Sequence, residues 1–270
     1  MMKSIAFAGA LCLLAGTAHA ADGILIVQKT TVGAGAPQTH RVQIDAKRMR
    51  AEAVGPDGGK QVVVFDGTRE VMMLIDDARK SYTEMTKADM DALGSQMSGM
   101  MAQLQEQMKN MPPEARAQME AMMKGRGAAM PGMGPKTQYR KAGTGTVGKW
   151  TCDKYEGYAA ENKVSEICTV DPKTLGFTEA DFAVSKEMAA FFKKIIPSGA
   201  AEMFSVGSTE LGFSGVPVRS VTTSGAQSIT TEMTEVSRQA FPDAVFQAPA
   251  GYQKTDFMAG RGRGRGRMNP

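Results

Sequence analysis

Alternation of apolar and polar positions dominates the first third of the chain. Residues 22–32 (DGILIVQKTTV) are rich in β-branched side chains and predict a strand, broken by the glycine-rich turn at 33–37. Residues 39–46 (THRVQIDA) alternate, so that Val42 and Ile44 share one face and Arg41 and Gln43 the other. The pattern continues through 49–54, a Gly-Pro-Asp-Gly-Gly turn at 55–59, and apolar runs at 61–65 and 70–75 flanking Asp66-Gly67. Asp-Gly between two apolar runs is a strong hairpin signal. Residues 76–80 turn the chain again into 81–85. Half a dozen short strands joined by tight turns predict an antiparallel meander.

The period then changes. Met90, Leu93, Met97, Met101, Leu104, Met108 and Met111 recur at intervals of three and four, the stripe of an amphipathic helix. Pro112-Pro113 ends it and starts a second helix at Glu114, which carries Met119, Met122 and Met123 and dissolves in the Gly/Met/Pro-rich run 125–135. The insert thus spans 86–135. Strand pattern resumes at 138–142 and passes through the glycines of 143–148 into two short strands around the polar turn 160–162. Folding there sets Cys152 and Cys168 directly opposite each other, close enough to bridge. A third helix follows Asp171-Pro172, with Thr178 and Asp181 spaced as a capping box and Val184, Met188, Phe191 and Ile195 on one face. Strands at 216–223 and 228–236 and an extended segment at 241–252 close the domain.

Three stretches carry a family resemblance: 75–84 (IDDARKSYTE) leading into the methionine-rich insert, 143–155 (GTGTVGKWTCDKY), and 241–252 (FPDAVFQAPAGY). Together they resemble an exported bacterial family catalogued as domain of unknown function 4412, and the last is also similar to the ending of the periplasmic lipoprotein carriers (LolA/LolB/LppX-like). The resemblance implies an α+β fold. Its expected form is a strongly curved antiparallel sheet, an incomplete β-barrel, with helices on its concave side.

The termini add a compartment. Met1-Met-Lys3, the apolar run 5–14 and Ala18-His-Ala20 have the anatomy of a cleaved signal peptide over residues 1–20, so the expected location is the periplasm. Loss of Cys12 with that leader leaves one even pair of cysteines, as suits an oxidising space. The 32 basic and 28 acidic residues include Lys3 in the leader and Arg261, Arg263, Arg265 and Arg267 in a Gly-Arg tail at 258–270 expected to be disordered; without those five the body is nearly neutral. No nucleic-acid partner is expected of such a body, although the tail arginines could meet an anionic membrane surface. A single domain over 21–257 accounts for the rest.

Catalytic machinery is poorly supported. His40 is the one histidine outside the leader, on a strand expected to be partly exposed, and no phosphate-cradling glycine fingerprint follows a strand. A non-catalytic protein without a cofactor is therefore expected. The methionines suggest two alternatives. As soft thioethers, Met97, Met100, Met101, Met119, Met122 and Met123 could hold Cu(I), which would make this a copper-binding or envelope-stress protein. As adaptable fillers they would simply pack, because all but Met100 of the first helix's methionines lie on its buried stripe. A methionine-rich lid over an apolar hollow would suit a lipid-like ligand, with Met90, Leu93, Met97, Met101, Leu104 and Met108 as its candidate contacts. A closed core would leave no such room.

Overall fold

In a computed structural model, the described residues are 21–54, 60–110, 112, 114, 137–193, 195, 211–224 and 227–257. The expected leader (1–20), the second methionine-rich helix with its loop, and the Gly-Arg tail lie outside them.

The alternating runs become strands: β1 (Ala21–Val32), β2 (Gln38–Asp45), β3 (Arg48–Val54), β4 (Lys60–Asp66), β5 (Val71–Asp76) and β6 (Ser81–Thr86), then β7 (Thr137–Val147), β8 (Trp150–Ala159), β9 (Asn162–Val170), β10 (Val216–Ser224), β11 (Gln227–Phe241) and β12 (Gln253–Thr255). Among the described residues all twelve join one sheet in the order β12-β6-β5-β4-β3-β2-β1-β11-β10-β9-β8-β7. The sheet is two antiparallel meanders zipped together where β1 pairs with β11 over its whole length, from Ala21 opposite Phe241 to Val32 opposite Ile229. Among the described strands, β12 alone runs parallel to its neighbour, β6. Its polar Gln-Lys-Thr sequence gave no strand signal. It is held by Thr255 against Thr83 (2.6 Å) and by an ion pair between Lys254 and Glu84.

Two helices were legible, and both begin on a threonine–aspartate pair. α1 (Lys87–Lys109) starts where Asp89 accepts from the Thr86 amide (2.9 Å) and hydroxyl (2.7 Å). α2 (Ala183–Phe192), the third helix of the sequence pattern, is preceded by a 3₁₀ turn in which Asp181 accepts from the Thr178 amide at 2.6 Å. Residue Ile195 lies beyond the helix end and packs on the core rather than within the helical stripe.

The sheet must bend to make one core. Tyr139 on β7 and Ala51 on β3 line the same hollow of about 470 Å³. A flat sheet would hold strands seven positions apart at about 34 Å, since neighbours sit about 4.8 Å apart. The ends of the sheet, β12 and β7, do not pair, so it curls without closing.

The cysteine hairpin forms with a corrected register. Cys168 lies opposite Lys154, not Cys152, because a bulge between Gly157 and Tyr158 adds one residue to β9 and the turn centres between Ala160 and Glu161. The cysteines are therefore diagonal neighbours. Sheet twist brings their Cα atoms to 5.5 Å, and the disulfide forms within the main core.

Candidate functional site

The inner face of the curled sheet is covered by α2, and a short chain of polar contacts fixes where that helix lies. Asp171 caps a 3₁₀ turn (Pro172–Leu175) by accepting from the Lys173 amide at 2.8 Å, and the chain reverses at Gly176 with φ 76°. Arg238 on β11 then donates to the Gly176 carbonyl at 2.9 Å and to Asp181 Oδ2 at 2.6 Å, tying the lead-in of α2 to the sheet. Burial pushes the Asp181 carboxyl up, but the amide and hydroxyl of Thr178 and the Arg238 guanidinium outweigh it and hold the group below its ordinary value. From this anchor α2 turns Val184, Ser185, Met188 and Phe191 inward. Phe191 meets Phe65 of β4 edge-on at 5.5 Å, closing that side of the barrel.

Among the described residues the other side of α2 is left open. Between the helix and the sheet lies the hollow of about 470 Å³, walled by Ile26, Val42, Ile44, Met49 and Ala51 from β1–β3, and by Ile167, Val216 and Met233 from β9–β11. Ser185 and Met188 form its roof, and Tyr139, Leu211 and Phe213 its far flank. Phe213 stacks edge-on against Tyr139 at 5.1 Å and Tyr155 at 6.3 Å, so this flank is a packed aromatic wall rather than a loose edge. A concave, mostly apolar chamber with a few hydroxyls suits an apolar ligand.

The described methionine-stripe positions are placed elsewhere. Met90 is 2% exposed within the main core, and Leu93 is also buried. Met97 and Leu104 are half-buried, and Met100 is 63% exposed. The side chains of Met101 and Met108 lie outside the described residues, as do Met119, Met122, Met123 and the four tail arginines. None of the described positions on α1 lines the hollow beneath α2. Its walls carry no motif; the signals that could have found them are the strand alternation and the apolar face of the third helix.

His40 departs from the expectation of partial exposure. It is 9% exposed, because the two-residue period puts it on the same inward face as Val42 and Ile44. No group of three or more His, Cys, Asp or Glu side chains among the described residues is placed to hold a metal ion. Among those residues no helix is long and apolar enough to cross a membrane.

No curated protein matches the chain. Among solved structures it is similar to an uncharacterized conserved protein from Thermus thermophilus, at 10% identity over 88% of this chain and 91% of that one, with a TM-score of 0.42. It is also similar to the MucA/MucB complex of Pseudomonas aeruginosa (12% identity, 85% of this chain, 56% of that one, TM-score 0.35). A third likeness is to a LolA superfamily protein from Nitrosomonas europaea (7%, 86%, 91%, TM-score 0.28). The family described as "Domain of unknown function (DUF4412)" matches residues 83–252, which takes in β7–β11, α2 and more than half of the residues that line the hollow. That span exceeds half of the sequence and includes two of the three stretches that carry the resemblance, so the chain belongs to the DUF4412 family.

Proposed function

We propose that the protein is a non-catalytic carrier or receptor that takes an apolar or lipid-like ligand into the hollow beneath α2, outside the cytoplasm. The observation that carries this reading is the hollow itself: about 470 Å³ of mostly apolar space on the inner face of the sheet, roofed by one helix. Small-molecule sites occupy roughly 300–1,000 Å³ and are lined in this manner. A buried disulfide between Cys152 and Cys168 supports an oxidising compartment, where such bonds persist. Among the described residues, the walls bring together no nucleophile, base and orienting partner, which supports binding without chemistry.

The test fills the chamber. Ser185 sits on the roof and is buried, so Ser185→Phe projects a ring into the space with little change to the helix surface. A fluorescent apolar probe such as 1-aminoanthracene is expected to bind the wild-type protein and to bind the variant at least tenfold more weakly. Native mass spectrometry of freshly purified protein should show a co-purifying lipid that the variant lacks. Equal probe binding by the two proteins would end the proposal.

A further inference from the structure

The inner face changes character at one level across adjacent strands. In one row Ile26 stands opposite Val42, which in turn stands opposite Ala51. In the next, Met233, Gln28 and His40 are aligned across β11, β1 and β2. In the row after that, Ser220, Thr231, Thr30 and Gln38 lie side by side on four strands. Apolar gives way to polar within two residues of each strand.

Gln28, His40, Thr30, Gln38 and Thr231 of this polar level line the inner part of a second pocket of about 490 Å³, whose outer rim is apolar again at the exposed pair Val32 and Ile229. Gln28 borders both it and the hollow beneath α2, so the two spaces adjoin. Amides and hydroxyls that face water would need no explanation. His40 does need one, because it is nine-tenths buried and its Nδ1 has no hydrogen-bond partner among the described residues. Whichever tautomer it adopts, that nitrogen either donates or accepts, and leaving it unpaired is costly.

His40 is also a lining residue of the pocket, and the charge of that lining narrows what could sit beside it. Glu52 is the single charged residue among the described ones that line this pocket, and its carboxylate already faces Lys60 at 3.7 Å. Among the described lining residues there is no lysine or arginine, and Lys60 is already paired with Glu52, so a phosphate or carboxylate would be held there without a counter-charge of its own. The amides of Gln28 and Gln38, the hydroxyls of Thr30 and Thr231, and the imidazole each donate and accept, and so does an alcohol. Thr30 and Thr231 already share a bond of 3.2 Å, which leaves each with spare capacity for a second partner.

Resting on the reading of the apolar hollow given above, we propose that the ligand is an amphiphile with an uncharged, hydroxyl-bearing head, of the acylglycerol kind. Its chain occupies the hollow beneath α2, and its head is held at the level of Gln28, Thr30, Gln38 and His40.

The test uses the full chain, with 1-aminoanthracene as a probe of the hollow alone and three twelve-carbon competitors: 1-lauroylglycerol, dodecyl phosphate and dodecylamine. The lauroylglycerol is expected to displace the probe at the lowest concentration. His40→Leu and Thr30→Val are each expected to weaken it about tenfold, the worth of one net hydrogen bond, while binding of the probe stays within about twofold. The thermal midpoint of His40→Leu should not fall, since the substitution removes a buried unpartnered nitrogen, and Thr30→Val serves as the near-isosteric second variant. Preference for the phosphate or the amine, or equal lauroylglycerol binding in both variants, would overturn the head-group assignment while leaving the hollow intact. Failure of the wild-type protein to bind the probe at all would remove both.

Discussion

Breaking the bridge between Cys152 and Cys168 should cost the protein about 3 kcal/mol. The sulfurs join positions 16 residues apart, and closing a loop of that size removes about 10 cal/mol/K from the unfolded chain in the loop-closure account, or about 3 kcal/mol at 25 °C. Both cysteines are buried in the main core, so reduction leaves their packing in place and takes away only the covalent link. For a domain of this size each kcal/mol moves the melting midpoint by roughly 2–4 °C, which predicts a fall of roughly 6–12 °C. The assay unfolds the protein, reduces it, refolds it in excess phosphine reductant, and compares thermal and urea transitions with those of the oxidised form. Although Ile167, which lines the hollow, neighbours Cys168, the packing is retained, so probe binding measured well below the reduced midpoint should survive. A difference below about 2 °C, or both cysteines reacting with an alkylating agent in the untreated native protein, would refute the reasoning.

Phe191→Ala empties the contact with Phe65 under the closed side of α2 and is expected to cost about 3–5 kcal/mol in urea unfolding. Gly212 has φ 88°, and a Cβ there would lie 2.6 Å from the Tyr139 carbonyl oxygen. Gly212→Ala should therefore lower stability by at least about 1–2 kcal/mol and weaken probe binding, because Leu211 and Phe213 on either side of it line the hollow. Asp181 and Asp89 are both held below the ordinary carboxylate value, Asp181 against its burial, by Thr178 and Arg238, and Asp89 by the amide and hydroxyl of Thr86. Their contribution is complete above about pH 4–5 and is lost as pH falls through the depressed folded values, so urea midpoints should drop between pH 5 and about 2, and Asp181→Asn should shrink that drop.

Much of this was legible from one dimension. The alternation of 39–46, the apolar run 61–65 with its Asp66-Gly67 turn and the three-and-four spacing from Met90 are local signals, and local backbone preferences honoured them. The threonine–aspartate pair ahead of α2 was also readable, since a capping box is made within four residues. Neither the register of the cysteine hairpin nor the partner of β12 could be read in that way. The first depends on a single bulged residue in β9, and the second on where a distant β6 edge happens to lie. His40 shows the same limit from the other side: its parity with Val42 and Ile44 was visible, but its burial required neighbouring strands to wrap over it.

By itself, the sequence determined most of the elements, the cap ahead of α2 and the cysteine pair that the fold would use, because these follow from interactions among residues close along the chain. Only the tertiary structure decided which helix roofs an open hollow and which packs into solid core. That choice depends on how far a twelve-strand sheet curls, and curl is the sum of twists and bulges over the whole sheet rather than a property of any one segment. The methionine stripe of α1 was the louder signal, yet its best-buried members, Met90 and Leu93, go to the core, whereas the quieter face of α2, with Ser185 and Met188, borders the space that can receive a ligand.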